Sequence, residues 1–264
     1  MIASLISRAI FRVSGSDAKE FLHGQLSNDI YSINDGEIQM NAYCQHQGKV
    51  IALLWVFLID KDLYISLPKE LAELVNNRLN MFIMMSDVKI KDITSDMPQY
   101  GIIDQDCLGS YKLNERQSIF VGEAKDLEKH SHHESLWQSA CIETSTPEVY
   151  LSTTEKFVPQ MLNLDINESG VSFTKGCYPG QEVVARLHYL GKAKRRMYKF
   201  KGGDIPVGEE LIVEDSKSLR ASGMVIRSAK SGNEYFYLVS IETNHKDDKI
   251  TSHNGISLVR IKDV

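Results

Sequence analysis

The sequence lacks long apolar runs, paired cysteines and nucleotide-binding glycine motifs, and each absence removes a class of protein. Its longest apolar run, residues 50–59, has the length of a strand, whereas a membrane-spanning helix needs about 18 residues. The four cysteines are dispersed without a C-x-x-C pair, so nothing indicates a structural zinc or dithiol site. Neither G-x-x-x-x-G-K-S/T nor G-x-G-x-x-G occurs, which argues against dependence on ATP or NAD.

The remaining composition is that of an ordinary globular protein. The 264 residues are 42% hydrophobic and 25% charged, and the mean hydropathy is -0.24. The first residues lack the pattern of a cleaved signal peptide, so we expect them to belong to the fold. Together with the unpaired cysteines, this indicates a cytoplasmic protein with reduced thiols.

Positive charge is concentrated in one segment, although the net charge is -5. No acidic residue interrupts the stretch from Arg186 to Lys201, which contains Arg186, Lys192, Lys194, Arg195, Arg196, Lys199 and Lys201. The stretch would either face an anion, such as a phosphate, a polyglutamate tail or RNA, or form a solvated strand edge. The overall acidity argues against a protein that coats nucleic acid generally.

The first half of the chain alternates between helix and strand patterns. Residues 14–30 place apolar side chains on one helical face, with Ser16 as the expected N-cap and Asn28-Asp29 as the stop. Strands are predicted at 37–44, 49–60, 62–68 and 87–94, and shorter ones at 101–104 and 118–122. Helices are predicted within 69–84 and at 135–142. This order indicates an α+β fold.

The character of the chain changes after residue 191. Five short alternating segments, separated by turn residues, begin at Arg196, Glu209, Ala221, Glu234 and Gly255. Such spacing is typical of a small β-barrel. We therefore predict two parts, residues 1–191 and residues 192–264.

Cys177 lies in the compact stretch K-G-C-Y-P-G, which raises the question of its role. Glycine and proline enforce a tight turn there, and a helix is predicted from about Gln181. The neighbouring Lys175 and the helix N-terminus would favour the thiolate. A nucleophile, a metal ligand and a small buried residue all remain open, and His188 is too far along the helix to serve as a base.

Three other features allow both a structural and a functional interpretation. Glu182 and Arg186 would form a salt bridge on one helix face, or bind a heterocycle and an anion together with Gln181. Trp137 would anchor the core, or form a wall for a flat ligand. The four residues 130–133, H-S-H-H, are typical of a solvated loop, and we expect no metal there.

The segment K-G-C-Y-P-G-Q-E-V-V-A-R resembles the signature of the YgfZ family, a folate-binding, iron-sulfur-related branch of the glycine-cleavage T-protein (aminomethyltransferase) superfamily. The likeness extends to F-V-P-Q-M-L-N-L-D, to Y-L-G-K-A-K-R-R-M and to the opening helix V-S-G-S-D-A-K-E-F-L-H-G-Q-L-S-N-D-I. It lies in residues 13–48 and 137–197. The K-G-C-Y-x-G-Q-E match is far more specific than a lone cysteine.

This resemblance implies three subdomains in a ring around a central folate channel, with the C-terminal β-barrel as the third. It also implies tetrahydrofolate or a one-carbon derivative as cofactor, and a role supporting iron-sulfur enzymes, including those that modify tRNA. Cys177 and Lys175 would provide the functional thiol and its neighbouring charge. The residues implied in folate binding are Gln25, Asn28, Asp29, Trp137, Tyr178, Gln181, Glu182 and Arg186.

The sequence departs from the superfamily at two places. A second folate-contacting tryptophan is expected near Arg8 and is missing. Aminomethyltransferases carry an acidic pair where this chain has Ala52 and Leu53, and alkyl side chains do not transfer protons. Conventional aminomethyl transfer is therefore not expected, and Asp29 is the best substitute carboxylate.

Three functions follow in order of support. The first is a folate-binding accessory protein for iron-sulfur enzymes, and the second is a divergent folate-dependent one-carbon transferase. The third is an interaction module whose basic residues Arg186, Lys192, Lys194, Arg195 and Arg196 contact RNA or another anion. The sequence does not indicate the client enzymes, the one-carbon state of the folate or the oligomeric state.

Overall fold

The fold was obtained as a computed structural model that describes residues 1–214 and 221–262. The ends of two segments that the sequence predicts as strands, at Asp215 and at Asp263 and Val264, lie outside the described residues. The described part combines two antiparallel sheets and a closed barrel with few helices, and the α+β class is confirmed. No helix in it is both long and apolar enough to cross a membrane.

The largest sheet has five strands in the order β3-β4-β5-β2-β6. Its strands are β2 (Arg8–Ser14), β3 (Ile38–Cys44), β4 (Val50–Ile59), β5 (Asp62–Pro68) and β6 (Lys89–Asp92). The predicted hairpin of β3 and β4 and the third strand β5 are confirmed. β4 is buried on both faces because Leu54 and Val56 join one core cluster while Trp55 and Phe57 join another. This explains why the strand reads as a continuous apolar run.

A second sheet has the order β1-β7-β9-β8. Its strands are β1 (Ile2–Ser4), β7 (Gln99–Ile103), β8 (Tyr111–Lys112) and β9 (Gln117–Val121). The strands expected at 101–104 and 118–122 are present, and they begin two residues and one residue earlier than expected. β1 pairs with β7, so the first residues of the chain belong to the fold.

Six strands after residue 194 close into a barrel of order β10-β13-β12-β11-β14-β15. They are β10 (Arg195–Gly202), β11 (Glu210–Val213), β12 (Gly223–Ser231), β13 (Glu234–Glu242), β14 (Ile250–Ser252) and β15 (Ser257–Arg260). The predicted barrel is confirmed with one strand more than expected. The additional strand β14 has only three residues, too few for an alternating pattern. The division at residues 191 and 192 stays a prediction.

The described residues contain five α-helices. They are α1 (Ala18–Gln25), α2 (Ala72–Asn80), α3 (Lys125–Lys129), α4 (Ser135–Glu143) and α5 (Gln181–Tyr189). Short 3-10 turns lie at Ile30–Ser32, Lys69–Leu71, Pro159–Leu162, Ile166–Glu168 and Thr243–His245. The helices expected at 135–142 and from Gln181 are confirmed, and the helix expected within 69–84 is shorter.

Both predicted ends of the opening helix are wrong. The N-cap is Asp17, because the hydroxyl of Ser16 is hydrogen-bonded to the carboxylate of Asp87 instead of a helix N–H. The helix ends at Gln25, three residues before Asn28, because the chain turns into an extended Leu26 that bridges to Tyr43 of β3. Tertiary pairing therefore overrides the local stop signal.

Candidate functional site

The K-G-C-Y-P-G segment forms a turn that leads directly into α5 and packs against the β3–β4 turn. Gly180, the residue before the helix, has φ +83, a backbone conformation that favours glycine. A Cβ at this position would lie 2.5 Å from the carbonyl oxygen of Gln45 and 2.7 Å from the Cα of Gly48. The glycines at 48 and 180 thus allow two backbones to approach closely, and this fixes the motif on the first sheet.

Lys175 is buried, and its ammonium caps the end of α1. It donates to the carbonyl oxygens of His23, Leu26 at 2.6 Å and Asn28 at 3.2 Å. An ammonium has three N–H donors, so this contact uses all of them and leaves none for the thiol of Cys177. Burial lowers the pKa of Lys175 to about 8, and the charge of Asp29 opposes that change.

Cys177 lies at the exposed side of this turn, whereas its neighbour Tyr178 points into the protein. Burial raises the pKa of the Tyr178 hydroxyl above its ordinary value, so this residue stays protonated. The ammonium of Lys175 lies 5.2 Å from the centre of the Tyr178 ring, a cation–π contact. The buried side chains of Tyr178 and Lys175 therefore hold the turn on its inner side, while the thiol of Cys177 remains accessible on the outer side.

His23 is a histidine that the sequence did not single out, and it lies against the glycine that precedes Cys177. A Cβ on Gly176 would be 3.6 Å from its Nε2, and its Nδ1 is 3.2 Å from Oδ1 of Asp29. Burial lowers the pKa of His23, as does the charge of Lys175, while Asp29 raises it. The carboxylate of Asp29 also accepts from the backbone N–H of Tyr31 at 2.9 Å.

The predicted ligand residues of α5 point away from the buried part of the motif. Glu182 and Arg186 are exposed, and the structure records no ion pair between these two described residues. Gln181 is half-buried at the first turn of the helix. On α1, the side-chain oxygen of Gln25 is buried without a hydrogen-bond partner among the described residues.

Two cavities lie between the sheets and the barrel, and each is lined by one of the eight predicted folate residues, Asn28 in one and Trp137 in the other. The other six line neither cavity. The Asn28 cavity has a volume of about 700 Å³. Asn28 lines it from the segment after α1, Met40 from β3, Asn114 from the turn between β8 and β9, Asn163 from the loop before α5, and Met197 from the barrel. Neither Asp29 nor Trp137 contributes to its lining.

The Trp137 cavity has a volume of about 400 Å³ and lies near the N-terminal end of α4. Arg8 and Pro68 line it from the first sheet, Trp137 and Gln138 from α4, and Arg227 from the barrel. Trp137 is 1% exposed and packs edge-on against Trp55 at 6.0 Å between ring centres. It is therefore both a core anchor and a cavity wall, so the two interpretations of this residue coexist.

Arg8 occupies the region where the second folate-contacting tryptophan is expected. Its guanidinium carbon lies 3.7 Å from the centre of the Trp55 ring, and its Nε donates to the hydroxyl of Ser66 at 2.8 Å. Its Nη1 donates to Glu148 at 2.5 Å. The sequence did not single out Arg8, Glu148 or Arg227 as ligands, and the only signal was an arginine within each of two apolar strands.

The positions of the superfamily's acidic pair are fully buried in the core. Ala52 and Leu53 have 0% exposure in the centre of β4 and pack in the main hydrophobic cluster. Neither side chain faces either cavity. The carboxylate of Asp29 is engaged by His23 and Tyr31, as described above.

Part of the basic stretch is neutralised by acidic partners. Arg196 forms a bidentate pair with Asp165, at 2.5 and 2.9 Å, and Arg195 lies 3.5 Å from Glu242. Lys192 and Lys194 are exposed. Within the described residues, no group of three or more His, Cys, Asp or Glu side chains converges as a metal site.

The arrangement of two sheets and a closed barrel is similar to that of a solved aminomethyltransferase. The glycine cleavage system aminomethyltransferase T from Bartonella henselae superposes with a TM-score of 0.68 over 99% of this chain and 84% of that chain. The sequence identity is 11%, so this likeness shows the fold alone. No protein-family model matches the chain.

Sequence comparison finds relatives among the YgfZ proteins. The tRNA-modifying protein YgfZ of Colwellia psychrerythraea is 28% identical, with 70% of this chain and 67% of that protein covered. The protein of the same name from Photorhabdus laumondii is 23% identical over 99% of this chain and 88% of its own length. An uncharacterized protein of Haemophilus influenzae is 29% identical over 93% of this chain and 90% of its own length. These relatives, at 23% to 29% identity, together with the aminomethyltransferase fold, support a protein of the YgfZ kind.

Proposed function

We propose that this protein binds reduced folate and supports iron-sulfur enzymes, including enzymes that modify tRNA. The observation that carries the proposal is the Asn28 cavity, which residues of the first sheet, the β8–β9 turn and the barrel line together. Its volume of about 700 Å³ lies within the range of small-molecule sites. The YgfZ relatives and the aminomethyltransferase fold support the role.

The lining of the Asn28 cavity suits a pterin ring. The side-chain amides of Asn28, Gln39, Asn114 and Asn163 lie in the lining and all bond within the protein, and those of Asn28, Asn114 and Asn163 each keep one N–H for a ligand. Met40, Leu162 and Met197 supply apolar surface. Amides hydrogen-bond a heterocycle that has both donors and acceptors on its edge, and the apolar groups cover its faces. A bound tetrahydrofolate would carry the one-carbon chemistry, and the protein would hold and orient it.

Cys177 is the functional thiol of this proposal, and Lys175 positions it indirectly. By capping α1 and lying under Tyr178, Lys175 holds the turn that presents the thiol. Aminomethyl transfer of the conventional kind is not part of the proposal, because the positions of the acidic pair carry Ala52 and Leu53. The other predicted folate contacts stay predictions and lie outside the lining of the Asn28 cavity; they are Gln25, Asp29, Trp137, Tyr178, Gln181, Glu182 and Arg186.

Rescue of tRNA thiolation tests the role directly. The protein is expressed in a bacterial host that lacks its own YgfZ protein, and thiolated tRNA nucleosides are measured by mass spectrometry. We expect wild type and the control Cys107→Ala to restore the modification and Cys177→Ala to fail. Failure of the wild type would overturn the role, and full rescue by Cys177→Ala would overturn the claim about the thiol.

A further inference from the structure

The buried floor of the Trp137 cavity carries more positive than negative charge. Arg8, Arg227 and Glu148 are 5%, 1% and 2% exposed, so two guanidinium groups share one carboxylate. A charge removed from water is costly unless it is paired and hydrogen-bonded. Three further charged groups line the cavity outside this floor. Lys69 and Glu70 are exposed and screened by solvent, and the half-buried Glu134 accepts from the backbone N–H and hydroxyl of Ser7.

Glu148 does not satisfy both arginines. Its Oε2 accepts from Nη1 of Arg8 at 2.5 Å and lies 3.7 Å from Nη2 of Arg227. Its Oε1 is 3.3 Å from the backbone N–H of Val149. Among the described residues, Nη2 of Arg8 and Nε of Arg227 have no hydrogen-bond partner although both atoms are buried. The floor therefore has spare donors as well as spare positive charge.

We propose that the Trp137 cavity binds the carboxylate of a small organic acid, with Arg8 and Arg227 as its ligands. A guanidinium presents paired N–H donors in a plane that matches a carboxylate. One negative charge balances the floor, whereas a phosphate dianion would exceed it beside Glu148 and near Glu134. Carboxylates thus fit this floor better than phosphates.

The rest of the lining indicates which kind of group is attached to the carboxylate of the bound acid. Trp137 and Pro68 offer flat apolar surface, and the cavity of about 400 Å³ accepts an aromatic or short aliphatic group. Burial raises the pKa of Tyr150 to about 12, so its hydroxyl stays neutral and adds no negative charge to the floor. The Tyr150 hydroxyl donates a hydrogen bond to Oε1 of Gln138, and the same oxygen accepts a hydrogen bond from Nη1 of Arg227 at 2.5 Å.

Calorimetric titration with benzoate, with benzamide as the neutral isostere, tests the proposal on the wild-type chain. We expect benzoate to bind and benzamide to bind about tenfold more weakly or not at all, because a charged hydrogen bond is lost. Trp55 and Trp137 are the two tryptophans of the chain and both flank this floor, so their fluorescence should change with benzoate. Equal binding of the two compounds, or no binding of benzoate, would overturn the proposal.

Arg227→Met locates the binding. The variant leaves Arg8 and Glu148 as a balanced pair, so we expect it to fold and to bind benzoate about tenfold more weakly. Arg260→Met is the matched control, since Arg260 is a barrel arginine that pairs with Asp247 outside the cavity. Undiminished benzoate binding by folded Arg227→Met would contradict the assignment.

Tetrahydrofolate in the same titration identifies the source of the carboxylate. If its glutamate tail supplies the group, benzoate competes with folate; if a separate acid does, both bind together. Either result agrees with the inference, which does not depend on the proposed function. Folate binding without any benzoate binding would overturn the inference alone, and benzoate binding without folate binding would overturn the folate proposal alone.

Discussion

The ammonium of Lys175 donates to the carbonyl oxygen of Leu26 at 2.6 Å, across 149 residues of sequence. This bond joins the cysteine turn to the end of the opening helix. With the contacts to His23 and Asn28, it makes Lys175 the cap of α1. Lys175, two residues before Cys177 in the sequence, is therefore a structural support of the turn.

Lys175→Met should lower the free energy of unfolding by about 2 to 3 kcal/mol, because three carbonyl groups lose their shared hydrogen-bond donor. Urea denaturation followed by circular dichroism measures this change. The control Lys192→Met, at an exposed position, should stay within about 0.5 kcal/mol of wild type. Equal stability of the two variants would show that the cap contributes nothing.

Lys175 should also make stability depend on pH in the alkaline range. Its pKa is about 8 in the folded protein against an ordinary value of 10.5. Between these values the unfolded chain binds more protons, so this group makes the free energy of unfolding rise as the pH rises from 8 to 10.5. We expect the rise in wild type relative to Lys175→Met, and parallel pH profiles of the two proteins would contradict it.

Gly180→Ala should be more destabilising than Gly36→Ala. The two glycines have φ +83 and φ +82, so alanine meets the same backbone strain at both, about 1 to 2 kcal/mol. Only Gly180 has close neighbours, since a Cβ at Gly36 meets nothing within 4 Å. The difference between their urea midpoints therefore measures the packing of the motif on the β3–β4 turn. Identical midpoints would show that this close approach is unimportant.

Thiol labelling should separate the four cysteines by accessibility. Cys177 is exposed and Cys107 is partly exposed, whereas Cys44 and Cys141 are buried. Burial raises the pKa of Cys44 to about 12, which further suppresses its reaction. With iodoacetamide and mass spectrometry of the folded protein, Cys177 should react first and Cys44 only on unfolding. Rapid labelling of Cys44 would contradict the packing of β3.

Local patterns in the sequence predict much of this fold, because each strand and helix carries its own period. Alternation predicts β3 and β5, and the turn before Gln181 predicts α5. Contacts between distant segments have no such pattern. The salt bridge of Arg8 with Glu148 spans 140 residues, and the cap by Lys175 replaces a local stop at Asn28.

The candidate site divides in the same way. Resemblance identifies Cys177 and its turn, because these residues are consecutive in the chain. The sequence gives no sign that Asn28 and Trp137 line different cavities, since that depends on how α4 packs between the sheets and the barrel. His23 reaches Gly176 only through the folded end of α1, so the spacing of histidines does not reveal it.

Calorimetric titration of the full chain with tetrahydrofolate tests the central claim most directly. We expect saturable binding at one site per chain, weakened by Asn114→Leu in the Asn28 cavity and unchanged by the control Asn77→Leu at an exposed position of α2. Both variants are first checked for folding by circular dichroism. Absence of any binding heat with folded wild-type protein, together with unchanged tryptophan fluorescence, would contradict the folate proposal.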